Sequence, residues 1–181
     1  MRYTIPTFLA LIFAFLFVFA SSSYAQTSTS SPSATVTPKP AAQTVEYELP
    51  YPGMLPDNPL YNLKALRDRI IEFLISNPYK KAEFYLLSSD KRFNSGYYLV
   101  MKDKDDMGVL YISKSNNYMN MGISEAYKAK EEGTQILQKM KLSIKKHQQL
   151  IDDIEEKVDQ KNKTKLKYES ERLGKMSSLI K

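Results

Sequence analysis

Beyond Asn58 the apolar residues of this chain return every three or four positions, and no segment shows the alternation of a half-buried strand. Side chains at that spacing share one face of a helix. The chain is therefore confined to an all-α fold. Two Asn-Pro pairs, Asn58-Pro59 and Asn77-Pro78, punctuate the pattern. The residue before a proline is pushed out of the helical region, asparagine can cap, and proline fits the first helical position. Each pair predicts a helix start.

The first helix is expected over residues 59–75, with Leu60, Leu63, Leu66, Ile70, Phe73 and Leu74 on one stripe. The second is expected over residues 78–102, with Ala82, Leu86, Phe93, Gly96 and Val100 facing inward. Within it, Asn94-Ser95-Gly96 reads either as a kink or as a close helix crossing. Residues 103–106 form an acidic turn. The third helix, residues 107–132, points Val109, Ile112, Asn116, Met119, Ile123 and Ala126 inward, and Gly133 is a ready C-cap. The fourth, residues 134–161, carries Leu137, Met140, Ile144, His147, Ile151, Ile154 and Val158 in an a/d repeat. A fifth, residues 165–180, offers Leu166, Leu173, Met176 and Ile180.

At about 1.5 Å per residue the middle three helices have matched lengths of roughly 37–42 Å. Matched helices joined by short turns predict an antiparallel bundle. The expected architecture is three long helices with a shorter N-terminal helix and a fifth C-terminal one whose docking the sequence leaves open.

Ahead of the helices the chain changes character. Arg2, the apolar run Phe8–Ala20 and the small residues of Ser23-Tyr24-Ala25 read as an export signal over residues 1–25, cleaved between Ala25 and Gln26. The competing reading is an uncleaved membrane anchor, although thirteen apolar residues make only about 20 Å of helix against a hydrocarbon core of roughly 30 Å. Residues 26–44 are rich in Ser, Thr, Pro and Ala, too poor in apolar side chains to offset ordering entropy, and read as a disordered tether. Residues 45–58 form a Pro-rich strap, in which proline and glycine exclude helix. Residues 59–161 are the bundle domain and residues 162–181 a C-terminal basic helix.

Reactive groups are few. The chain has no Cys and one His, so no disulfide, Cys–His pair or two-His metal motif can form. His147 lies on the apolar seam of the fourth helix, where a hydrogen-bonded core histidine that fixes register is the expected role rather than catalysis. Asp103, Asp105 and Gly108 match three positions of a calcium loop, but Met107 and Lys114 occupy the fifth and twelfth. Asp152, Asp153, Glu155 and Glu156 fall on the side away from the seam and read as a solvated face. No phosphate-cradling loop or nucleophile elbow is present. No catalytic residue, metal or cofactor is expected. Residues 134–181 carry twelve basic against seven acidic groups. That excess could meet anionic envelope polymer or lipid.

One stretch carries a resemblance. Leu55-Pro56-Asp57-Asn58-Pro59-Leu60-Tyr61-Asn62-Leu63-Lys64 resembles the opening signature, L-P-D-S-P-L-Y-x-L-K, of a bacterial domain family of unknown function found in exported and membrane-anchored proteins. The likeness continues through Leu66-Arg67-Asp68-Arg69 and residues 78–93, and more weakly to Lys146-His147, covering roughly residues 50–150. Asn58 replaces the usual Ser, and both cap well. The resemblance implies an extracytoplasmic helical domain and carries no activity or catalytic residue. From the residues alone, Asn58 is expected to cap the first helix, Pro59 to fix its first turn, and Leu60 and Leu63 to plug the bundle end beneath the strap.

The expected function is that of an exported, non-enzymatic helical module for protein interaction or envelope structure. The alternative is a module that binds anionic envelope polymer or lipid through the basic C-terminal helices. No nucleic-acid partner is expected, and membrane contact only if the first segment is retained as an anchor.

Overall fold

The computed structural model describes residues 46–181; the expected signal, the Ala25/Gln26 cleavage point and the tether lie outside the described residues. Five α-helices and no strand occur among them: α1 (Tyr61–Leu74), α2 (Pro78–Val100), α3 (Asp105–Lys128), α4 (Gly133–Ile154) and α5 (Gln160–Leu179). Short 3-10 turns, Lys130–Glu132 and Glu155–Lys157, lead into α4 and out of it. The fold is all-α, as the periodicity requires.

Helices α2 to α5 form the bundle, and α1 lies outside it. Consecutive long helices run antiparallel, with α3 and α4 each touching the other three and α2 and α5 on opposite flanks. The fifth helix docks. It buries Leu166, Leu173 and Met176, with Ile180 just past its end, and its Glu169 and Arg172 reach α3. Every inward residue expected on α2 and α3 is buried, and so is the α4 seam through Ile154.

Close approach explains Gly96. Helix α2 is continuous through it, and a Cβ there would lie 2.6 Å from the Gly108 carbonyl oxygen of α3. A Cβ on Gly108 would in turn lie 2.8 Å from the Gly96 oxygen. The two glycines let the backbones touch. Of the two readings of Asn94-Ser95-Gly96, the helix crossing is the one realised.

Several helix ends differ from expectation. Gly133 does not cap α3; Lys130 takes the left-handed position at φ 55°, while Gly133 has ordinary helical angles and opens α4. Glycine is needed there because a Cβ would fall 1.9 Å from the Ala126 oxygen. Helix α4 stops at Ile154 rather than running to 161, and Val158 is extended. Asp159 ends the run by capping α5: its carboxylate accepts from Asn162 N at 2.7 Å. Asn77 caps α2 as expected, accepting from Lys80 N at 3.0 Å. Asn58 does not cap α1. Its Oδ1 accepts from Leu60 N at 2.9 Å, which closes a turn one step ahead of the helix.

The largest departure is α1 itself. Its apolar stripe shares one face, as read from the sequence, but Leu60, Leu63, Leu66, Ile70, Phe73 and Leu74 are between 53 % and 87 % exposed. The half-buried side is polar, formed by Tyr61, Lys64, Asp68 and Glu72 with Ala65. Leu60 and Leu63 plug nothing. The strap follows the same logic: it runs along α2 instead of crossing the bundle end, bonded at Asp90 through Tyr47 and at Asn94 through the Pro50 carbonyl.

Candidate functional site

Two constellations stand out, one buried and one at the surface. The buried one gathers around Asp90 of α2, which is 2 % exposed. Tyr47 OH donates to its Oδ2 at 2.6 Å, Ser143 Oγ to its Oδ1 at 2.5 Å, and His147 Nε2 lies 3.0 Å from the same Oδ1. The Phe93 ring stacks on the imidazole at 4.0 Å and 8°. Burial, and then the Asp90 carboxylate, pushes the Tyr47 phenol above its ordinary range. The hydroxyl therefore stays protonated and donating.

Ser, His and Asp side chains in contact invite comparison with a hydrolytic triad. That chemistry needs serine on one imidazole nitrogen and aspartate on the other. Here both sit on the Nε2 side, and Nδ1 is buried without a partner. The Ser143 proton is committed to Asp90, and both Ser143 and His147 are 0 % exposed. The cluster is a polar clamp joining strap, α2 and α4. His147 has the hydrogen-bonded core role expected for it. Asp90 was not legible in the sequence, because an aspartate on an amphipathic helix reads as solvated; only the pairing of α2 with α4 brings it to His147.

The surface constellation is the helix-opening motif. Leu55, Pro56 and Asp57 are partly buried, and the Leu55 carbonyl accepts from Asn58 N at 3.1 Å. Lys104 Nζ donates to Asp57 Oδ2 at 2.7 Å, and that bond holds the Asp57 carboxyl below the usual range. Tyr61 packs edge-on against Tyr111 of α3 at 5.6 Å. Lys64 Nζ donates to the Pro52 carbonyl at 2.7 Å and the Met54 carbonyl at 3.3 Å. At the far end Tyr85 OH donates to Glu72 Oε1 at 2.8 Å. Thus Asp57, Tyr61, Lys64 and Glu72 fasten α1, while Pro59, Leu60 and Leu63 face solvent.

A helix held off by long polar side chains leaves a gap beneath it. The cleft between α1 and α2 has a volume of about 190 Å³, and its rim includes Lys64, Arg67, Lys91 and Arg92 against one acid, Asp68. Burial holds the Lys64 ammonium below the ordinary lysine range; Asp68 offsets part of this, and Lys91, Arg92 and Arg67 add to it. The basic residues of the C-terminal region are arranged otherwise. Lys161 and Lys165 reach Asp106, Lys163 pairs with Glu156, and Arg172 with Glu169. Among the described residues no group of three His, Cys, Asp or Glu is placed to hold a metal.

The arrangement predicts a reversal of the expected energetics within the motif. Leu63→Ala is expected to change stability by no more than about 0.5 kcal/mol, because its side chain leaves no cavity. Lys64→Ala is expected to cost about 1.5–3 kcal/mol of local stability, the range for charged hydrogen bonds. Hydrogen exchange at the α1 amides reads both; equal protection in the two variants would reject this account.

No protein-family model, curated protein or solved structure matches the chain.

Proposed function

We propose that this chain is an exported, non-enzymatic docking module of the cell envelope, and that the outward apolar face of α1 is its contact surface. The observation that carries the reading is the inverted orientation of α1. Folded monomers seldom leave so continuous an apolar stripe bare, and such patches mark interaction sites. Burying one large aliphatic or aromatic side chain is worth about 1.5–3 kcal/mol, so an isolated body has strong reason to turn this face inward. The polar fastenings of α1 hold it outward instead. The resemblance of residues 55–64 to exported and membrane-anchored bacterial domains supports the same reading. The C-terminal helices support the alternative less well, since several of their cations already face acids.

Paired charge substitution tests the proposal. The full chain carrying Leu66→Glu and Phe73→Glu is expected to melt within a few degrees of the unmodified protein, since both positions are exposed. Its binding to envelope membranes from the cells that make it is expected to weaken at least tenfold, which corresponds to about 1.4 kcal/mol. Undiminished binding would remove α1 from the function.

A further inference from the structure

We infer that the occupant of the α1 face is the surface of an anionic phospholipid bilayer, with the cleft between α1 and α2 receiving a lipid phosphate. This rests on the reading of α1 as the docking element and names what it docks to.

Charge placement decides among the occupants. On the helix surface Arg67 neighbours Leu63 and Ile70, and Arg69 neighbours Leu66 and Phe73. Both edges of the stripe are thus arginine. Of the two acids of α1, Glu72 lies on the opposite, half-buried side bonded to Tyr85, and Asp68 pairs with Arg67 at 2.8 Å, leaving Arg69 the edge cation with no acid beside it among the described residues. A second copy pairing through its own α1 would set arginine edges against arginine edges, because a two-fold contact presents the same patch twice. The apolar run of residues 8–20 has the right hydrophobicity but no charge to answer those arginines. Anionic headgroups answer them on both sides at once. An apolar face with cations along its borders is the form in which a helix lies in the plane of a bilayer, its face about 5–10 Å into the headgroup boundary.

The cleft adds a second feature on the same side. Arg67 is common to both: it borders the stripe and lines the cleft, with its side chain 62 % exposed. Its guanidinium pairs with Asp68 at 2.8 Å, so a phosphate must share that guanidinium with the carboxylate and draw on Lys91 for the rest of its charge. Lys91 of α2 faces Arg67 across the gap, and Ile71 and Leu87 continue the apolar surface inward. A lipid with its phosphate between Arg67 and Lys91 would lay its acyl chains along Leu63, Ile70 and Leu74. Stripe and cleft then form one amphipathic surface matched to one amphipathic ligand.

The chain contains no Trp, so Phe73→Trp in the full chain gives a single reporter at the most exposed point of the stripe. Its emission is expected to shift to the blue with phosphatidylglycerol-containing vesicles and little with pure phosphatidylcholine. Bromine-labelled lipid is expected to quench it. In that background Arg67→Gln and Lys91→Gln are each expected to weaken vesicle binding about fivefold, the contribution of one basic residue near an anionic surface. High salt is expected to weaken it further. Tyr168→Trp, on exposed α5 surface, is expected to stay unshifted.

Equal shifts with neutral and anionic vesicles, or no effect of Arg67→Gln and Lys91→Gln, would overturn the inference. A blue shift that grows with protein concentration without vesicles would overturn it in favour of a second copy. If vesicles leave the emission of the Phe73→Trp chain unshifted while the Leu66→Glu, Phe73→Glu chain still loses envelope binding, the lipid is rejected and α1 remains a docking element for a protein. If neither responds, both readings fail.

Discussion

Asp90→Ala is expected to destabilise the domain by about 3–5 kcal/mol, because each donor left without its acceptor costs about 1–3 kcal/mol. Three donors lose their acceptor together: the Tyr47 hydroxyl, the Ser143 hydroxyl and His147 Nε2. Ser143 and His147 are fully buried, so nothing replaces the carboxylate for them, while the half-buried Tyr47 hydroxyl loses its tie to α2. Thermal melting reads this as a fall on the order of 10 °C. Tyr47→Phe should cost less, about 1.5–3 kcal/mol, because it removes one charge-assisted bond and leaves two. Coupling between the two substitutions should be large, since they share one contact. A loss below about 1 kcal/mol for Asp90→Ala would mean that the clamp does not hold α2 to α4.

Gly96→Ala is expected to cost about 3 kcal/mol, at the upper end of overpacking penalties. Intrinsic helix propensity pulls the other way, favouring alanine by about 1 kcal/mol in a helix interior. The contact wins because the obstacle is backbone. The new methyl would meet the Gly108 oxygen at 2.6 Å and Ile112 N at 3.0 Å, and neither can rotate away. Relief requires α2 and α3 to separate along their length, loosening Leu99, Val100 and Val109 with them. Gly174→Ala is the matched control, because its nearest neighbour is the Gln148 amide nitrogen at 3.6 Å. A gain in melting temperature for Gly96→Ala would contradict the close crossing.

The bundle was legible in the sequence wherever a helix is long and buried along one face. Val109, Ile112, Asn116, Met119, Ile123 and Ala126 obey a single period along α3, and all six are buried. Periodicity reports that a helix has an apolar side; it does not report what lies against that side. The stripe of α1 is as regular as that of α3, yet it faces outward, because Lys64, Tyr61 and Glu72 find partners in the body. Those partners, Pro52, Tyr111 and Tyr85, are distant enough in sequence that no local pattern joins them. The clamp was hidden for the same reason, with Asp90 and His147 on different helices. Helix ends failed differently. Gly133 carries the composition of a C-cap but sits where a Cβ would strike Ala126, and Lys130 takes the strained angle in its place.

The route of the strap has a mechanical consequence. From Tyr47 beside Asp90 to Asp57 beside Lys104, it follows α2 toward that helix's C-terminal end. Tension arriving from residue 46 therefore reaches the Tyr47–Asp90 bond first, then Asn94–Pro50, then Lys64–Pro52. The bonds are loaded in sequence, so each breaks before the next is strained, as a strip of tape peels. Helix α1 lies on the far side of that seam, and when the strap has let go it is still held by Asp57 on Lys104, Tyr61 on Tyr111 and Glu72 on Tyr85.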